Sequence, residues 1–84
     1  MNSYMAYFVY ILECADKTLY VGSTNDLKKR LYAHNNLKSG AHYTKIRRPV
    51  ILKHSERLAN IGKARSREAE LKRLSRAEKM KIID

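Results

Sequence analysis

The sequence predicts an α+β fold: a small three-stranded, mainly antiparallel sheet flanked by helices, in the order β-β-α-β-α-α. Three observations predict it. Two runs rich in β-branched and aromatic residues, YFVYILEC at 7–14 and TLYVGS at 18–23, are separated by residues 15–17 alone, which is hairpin spacing. A third such run follows Pro49. The other segments carry apolar residues three and four apart, the helical period.

The elements follow in order. After the hairpin, Thr24, Asn25 and Asp26 supply capping side chains, and a helix starts at Leu27 and ends near Asn36 or Lys38, before Ser39-Gly40. A loop carries His42, Tyr43 and Thr44 and the basic stretch from Lys45 to Arg48. Pro49 introduces the third strand at 50–55. Asn60 caps a second helix running to about Leu74. Ser75 and Glu78 have the spacing of a capping box and open a short third helix.

A chain of 84 residues is expected to form one domain, residues 1–84, with one modest core. No apolar run reaches the roughly 20 residues that span a bilayer, and no secretion signal is expected at the N-terminus. Cys14 is alone, which excludes an internal disulfide and a cysteine-based metal site and favours a reducing, cytoplasmic setting. The net charge of +10 is unevenly spread. Residues 1–27 hold one basic residue, Lys17, against three acids, whereas seventeen basic residues and five acids follow. Such asymmetry suits a polyanion, because each phosphate contact releases bound counterions. A membrane surface is disfavoured, since no helix pairs a basic face with exposed Trp or Phe. A monomer is assumed.

Two positions break the helical patterns. Leu27 and Leu31 define the buried stripe of the first helix, yet Arg30 and His34 fall on it as well. An inward arginine needs an anion or a desolvated cleft; otherwise Arg30 reaches the rim and His34 bonds a backbone carbonyl. In the second helix Ile61, Ala64, Leu71 and Leu74 define the inner stripe, and Glu68 falls on it. A buried carboxylate must pair with a cation or a metal; a salt bridge, with Arg30 as a candidate partner, is the alternative. Six tyrosines against one phenylalanine is a skewed aromatic set, and Tyr10 and Tyr20 lie in the two hairpin strands.

Val9-Tyr10-Ile11 followed by Tyr20-Val21-Gly22 resembles the paired signature of the GIY-YIG nuclease superfamily. Arg30 stands in the matching context Asp26-Leu27-Lys28-Lys29-Arg30-Leu31, His34 follows where the family has His or Tyr, and Glu68 occupies the metal-ligand position of its helix. The resemblance extends from about Tyr7 to Ile83 and is closest to small single-domain bacterial and archaeal members. Two departures stand out. Val9-Tyr10-Ile11 replaces Gly-Ile-Tyr, and Ser23-Thr24 stands where the DNA-repair members carry a lysine. No counterpart of the late asparagine of some members is evident.

The resemblance implies an endonuclease, with DNA more than RNA as substrate. Glu68 would hold one Mg²⁺ or Mn²⁺, Arg30 would clamp the phosphate, and Tyr10 would be the general base or its relay. Tyr20 and His34 would orient water or assist proton transfer. Gly22 would let a backbone approach closely. Lys28, Lys29, Lys45, Arg47 and Arg48 are candidates for phosphate contacts, and His42 and Tyr43 for base stacking. The alternative is a nucleic-acid-binding module with this fold and little catalysis. One geometric condition applies. A two-residue hairpin loop places Tyr10 and Tyr20 on opposite sheet faces, whereas a three-residue loop places them on one face. A shared site therefore requires an odd loop or a bulge.

Overall fold

The computed structural model describes residues 6–83. Residues 1–5, part of the stretch read as lacking a secretion signal, lie outside the described residues, as does residue 84. Strands β1 (Tyr7–Glu13) and β2 (Leu19–Thr24) form the hairpin. Its loop is three residues long: the Cys14 N–H donates to the Thr18 carbonyl at 2.9 Å, and the Lys17 N–H to the Cys14 carbonyl at 2.9 Å. Lys17 takes the left-handed conformation that closes such a loop, with φ of 72°. Asp16 fixes the turn by accepting from the Thr18 N–H at 3.1 Å and the Thr18 hydroxyl at 2.6 Å. The odd length that a shared site requires is therefore present. Tyr10 opposes Gly22 and Leu12 opposes Tyr20, so Tyr10, Gly22 and Tyr20 share one face. Val9, Val21 and Ser23 share the other.

Strand β3 (Ile51–Leu58) pairs with the far side of β1, giving the order β2-β1-β3, with both pairings antiparallel. A bulge at Lys53 changes its parity, because Leu12 opposes Leu52 while Ile11 opposes His54. Leu52 thus joins the Tyr10 face, and His54, Glu56 and Leu58 join the Val9 face. The strand runs three residues beyond the expected 50–55. Its polar end hid the signal, since Glu56 is held beneath a helix by an arginine rather than by apolar packing.

Helices α1 (Leu27–Asn36) and α2 (His42–Lys45) lie on the Tyr10 face. Their side chains Leu27, Leu31 and Tyr43 pack against Tyr10, Leu12, Cys14 and Val50. Helices α3 (Ile61–Arg73) and α4 (Arg76–Ile83) cover the other face, where Ala64, Leu71, Leu74, Ile82 and Ile83 meet Val9, Ile11 and Val21. Central strand β1 is buried on both sides, which explains its unbroken apolar run. The expected caps form. Asp26 accepts from the Lys29 N–H at 3.0 Å and Asn60 from the Lys63 N–H at 2.9 Å. Ser75 and Glu78 exchange bonds of 2.8 and 3.2 Å. Two expectations are corrected. The segment read as a plain loop contains the one-turn helix α2. Ile61, placed on the inner stripe, is 43% exposed because it sits at the first turn, beyond the sheet. Among the described residues no helix is long and apolar enough to cross a membrane.

The 37–50 segment is fastened to α1. Arg48 donates to the carbonyls of Ala33 (3.2 Å), His34 and Leu37 (2.6 Å), satisfying the last turn of the helix. Asn35 clasps Val50 with two bonds of 2.8 and 3.1 Å. A side chain at Gly40 would put a Cβ 2.6 Å from the Ala33 carbonyl, so glycine is what allows this approach.

On the opposite face Arg67 grips Glu56 through two bonds of 2.8 and 3.0 Å, and His54 lies 2.8 Å from the same carboxylate. The Arg67 bond, against the cost of burial, draws the Glu56 carboxyl down to about 2 from a usual 4.5. A carboxyl more acidic in the folded than in the unfolded state stabilises the fold above the unfolded value, and that contribution disappears as pH falls toward the folded value. Replacing Glu56 with Gln is therefore expected to lower unfolding stability at pH 7 by about 1–2 kcal/mol. The difference from the parent should shrink steadily between pH 4.5 and 2 in urea titrations.

Candidate active site

Four elements deliver the candidate residues. Tyr10 comes from the middle of β1, Tyr20 and Gly22 from β2, Arg30 and His34 from α1, and Glu68 from α3. The Tyr10 ring lies flat over Gly22: a Cβ there would fall 2.5 Å from the Tyr10 hydroxyl oxygen and 2.7 Å from the adjoining ring carbon. Gly22 therefore makes room for Tyr10, not for an incoming backbone, which corrects the role expected for it. The Tyr10 hydroxyl then meets His34 Nε2 at 2.8 Å, with the rings edge to face. His34 Nδ1 lies 2.7 Å from the Thr44 hydroxyl. Burial, with Arg30 and Arg48 nearby, pushes the His34 imidazole down to about 4, so it is neutral at physiological pH.

Burial pushes the Tyr10 phenol up to about 12. Hydrogen bonding to Arg30 pulls the other way, and the charges of Tyr20 and Glu68 add to the rise. Tyr10 is 2% exposed, so its ring and hydroxyl are almost closed to solvent. Arg30 donates to the Ser39 carbonyl at 3.1 Å and lines a shallow surface cleft with Lys29, Tyr32 and Leu37. No carboxylate pairs with it among the described residues, so the Arg30–Glu68 bridge considered from sequence does not form.

Glu68 pairs instead with Ser23, whose hydroxyl donates at 2.7 Å, and with Lys72, whose ammonium lies 2.9 Å from the other carboxylate oxygen. Burial works against its ionisation, but Ser23, Lys72 and Arg65 outweigh it, and the carboxyl sits below its usual range. Ser23 belongs to the Val9 face and Tyr10 to the opposite one, so the site straddles the sheet at its β2 edge. The Lys72 ammonium is raised mainly by its bond to Glu68. Sequence reasoning missed Ser23 and Lys72 as members of this cluster. Lys72, four residues after Glu68 on one helix face, was the available signal.

The expected nucleic-acid contacts separate into two groups. Lys28 and Lys29 are exposed on α1, His42 is exposed, and Lys45 bonds the Lys38 carbonyl at 3.1 Å. Arg47, Arg48 and Tyr43 are committed to the fold. Arg47 pairs with Asp16 at 3.0 Å and lies 3.9 Å over the Tyr43 ring, which stacks on Tyr20. Arg48 spends its donors on α1, as described. In the resting structure these three support the neighbouring side chains and the end of α1. A broad surface hollow along Leu58, Lys63, Arg67 and Arg73 is lined by none of the candidate catalytic groups.

Replacing Gly22 with Ala tests this packing. The added methyl is expected to expel the Tyr10 ring, break its bond to His34 and cost about 1–3 kcal/mol, as overpacking does. Urea unfolding and loss of the Tyr10–His34 ring contact in NMR would register it.

Comparison with known proteins shows the family and the fold. The family described as the GIY-YIG catalytic domain matches residues 6–81. A UPF0213 protein from Syntrophus aciditrophicus is 54% identical over 76 residues, covering 90% of this chain and 87% of that protein. A UPF0213 protein from Staphylococcus saprophyticus is 46% identical, covering 92% and 93%. The solution NMR structure of a UPF0213 protein from Bacillus halodurans superposes with a TM-score of 0.60 at 37% identity, over 94% of this chain and 83% of that one. A solution NMR structure of an E. faecalis protein gives 0.59 at 32%, over 89% and 80%. The chain belongs to the GIY-YIG nuclease family, in its small single-domain UPF0213 branch.

Proposed function

We propose that this protein is a divalent-metal-dependent endonuclease that hydrolyses phosphodiester bonds, of DNA in preference to RNA. The observation that carries the reading is the junction at the β2 edge. An ionised, 20% exposed carboxylate, Glu68, already bears a cation, Lys72, at the edge strand β2, whose other face carries Tyr20. The family membership and the charge of +10 support a nucleic-acid substrate. The buried, unpaired Cys14 is the basis for a reducing, cytoplasmic setting, and a monomer is the working assumption.

A Mg²⁺ or Mn²⁺ ion fits Glu68. Such ions are commonly held by one or two carboxylates, with water and phosphate oxygens completing the shell. No group of three or more His, Cys, Asp or Glu occurs among the described residues, so a closed zinc-type site is not offered. When bound, the ion supplies Lewis-acid charge to the phosphate and the leaving oxygen. The protein's own groups do the rest. Arg30 presents its guanidinium fork to a phosphate oxygen. Lys72, 55% exposed, supplies a second cation once its hold on Glu68 is exchanged. Tyr20 orients the attacking water. Tyr10 accepts a proton from that water while passing its own to neutral His34, because a phenol pushed up to about 12 stays protonated at neutral pH and can take a proton only as it gives one up. Lys28 and Lys29 hold the flanking strand.

One observation favours a second reading, a binding module without catalysis: Tyr10 is almost closed to solvent in the resting structure. The two readings diverge on plasmid and branched DNA. The nuclease reading expects cleavage with Mg²⁺ or Mn²⁺, none with EDTA, and a loss of roughly 10²-fold or more in Glu68→Ala and in Tyr10→Phe. Lys72→Ala should lose about tenfold, with affinity less steeply dependent on salt. Cleavage undiminished in Glu68→Ala would identify a contaminant and remove the enzymatic claim. Salt-sensitive binding without cleavage would leave the binding module.

A further inference from the structure

Hydrogen-bond counting around Tyr10 determines where each proton sits. Thr44 is fully buried, and its hydroxyl has one hydrogen to give. That hydrogen goes to the Ala41 carbonyl at 2.9 Å. The Thr44 oxygen also lies 2.7 Å from His34 Nδ1, and with its hydrogen on the Ala41 carbonyl, which the Lys45 N–H also serves, it is the acceptor of a proton carried on Nδ1. A neutral imidazole has one N–H. His34 Nε2 is therefore bare, and the Tyr10 hydroxyl at 2.8 Å donates to it. The opposite tautomer fails. Nε2–H would then donate to the Tyr10 oxygen, and the phenol hydrogen would have no acceptor among the partners of a residue 2% exposed. Buried side-chain nitrogens or oxygens without a partner are otherwise absent among the described residues.

We propose that Thr44 is a positioning residue of the active site: it holds His34 as the Nδ1–H tautomer and so keeps Nε2 open to receive the Tyr10 proton. This rests on the hydrolytic reading above. The attacking water gives one proton to the Tyr10 oxygen as the Tyr10 proton moves to His34 Nε2, leaving a hydroxide to form the new O–P bond. The O–P bond to the leaving oxygen breaks, and that oxygen takes a proton from solvent. The imidazolium keeps its Nδ1–H on Thr44 and returns the extra proton through Tyr10 to solvent after the products leave. No atom or charge is unaccounted for.

The fold is arranged to keep Thr44 in place. Gly40 lets the segment approach Ala33, Arg48 anchors it to the α1 carbonyls, and the Tyr20 ring rests edge-on against His34. The neutrality of His34, which burial and the two flanking arginines enforce, is what makes the choice of tautomer meaningful.

The test uses ¹⁵N-imidazole-labelled protein and two variants. In the parent, NMR should assign the protonated nitrogen of His34 to Nδ1; an Nε2–H tautomer overturns the proposal. Thr44→Val removes the acceptor at nearly constant shape. It should shift His34 toward Nε2–H and lower kcat on the order of tenfold or more while KM stays within about twofold. Thr44→Ser, which keeps the hydroxyl, should restore both tautomer and kcat. A Thr44→Val protein with the parent's tautomer or the parent's kcat overturns the proposal. The tautomer is read without substrate, so a protein that cuts nothing would defeat the nuclease reading while the Thr44–His34 geometry would still be decided.

Discussion

The site depends on one hydrogen bond, between the Tyr10 hydroxyl and His34 Nε2, which ties the central strand to α1. Three independent features must agree for it to form. The three-residue hairpin loop sets the parity that turns Tyr10 and Tyr20 to the same face. The missing side chain at Gly22 leaves the bed in which the Tyr10 ring lies. The 37–50 segment, pinned by Arg48 and by the Asn35 clasp on Val50, brings Thr44 behind His34. A burial this complete would leave a phenol and an imidazole costly and idle unless they satisfied one another. Here they do, with a proton poised between a weak acid made weaker and a base kept neutral.

The second half of the site obeys a different constraint. Glu68 approaches from the α3 side, across the sheet from Tyr10, and reaches the edge strand β2 through Ser23. Its partner at rest is Lys72 on its own helix, not an arginine from the far face. That choice leaves Arg30 with a carbonyl contact and no carboxylate, and so available to an anion. The ammonium on Glu68 shows that this carboxylate stabilises positive charge at a place solvent can reach. Arg47 and Arg48, a conspicuous basic pair in the sequence, are part-exposed and brace the fold: one supports Tyr43 and the other the end of α1.

Much of the fold was legible in the sequence because local signals pointed one way. The hairpin, the Asp26 and Asn60 caps and the Ser75–Glu78 box each carry their own chemistry within a few residues. Glu68 and Arg30 were legible as polar residues on buried stripes, a misfit that marks a site. What stayed hidden depends on long-range partners. The length of β3 was obscured because Glu56 is satisfied by Arg67 eleven positions away. The roles of Arg48 and Thr44 were hidden because nothing in their own segment indicates that α1 supplies the acceptors. Gly22 was identified correctly as a close approach, but the atoms approaching it belong to Tyr10, which only the register reveals.

The account's central claim is that one carboxylate, on the edge of a sheet, gathers metal, phosphate and proton relay into a single place. Crystals grown with Mn²⁺ and examined by anomalous scattering test it most directly. The account predicts one manganese peak on the Glu68 carboxylate, at roughly 2.2 Å from its oxygen, with Lys72 swung away and the Tyr10–His34 bond intact. A manganese bound elsewhere, or none while Lys72 keeps its grip on Glu68, would contradict it.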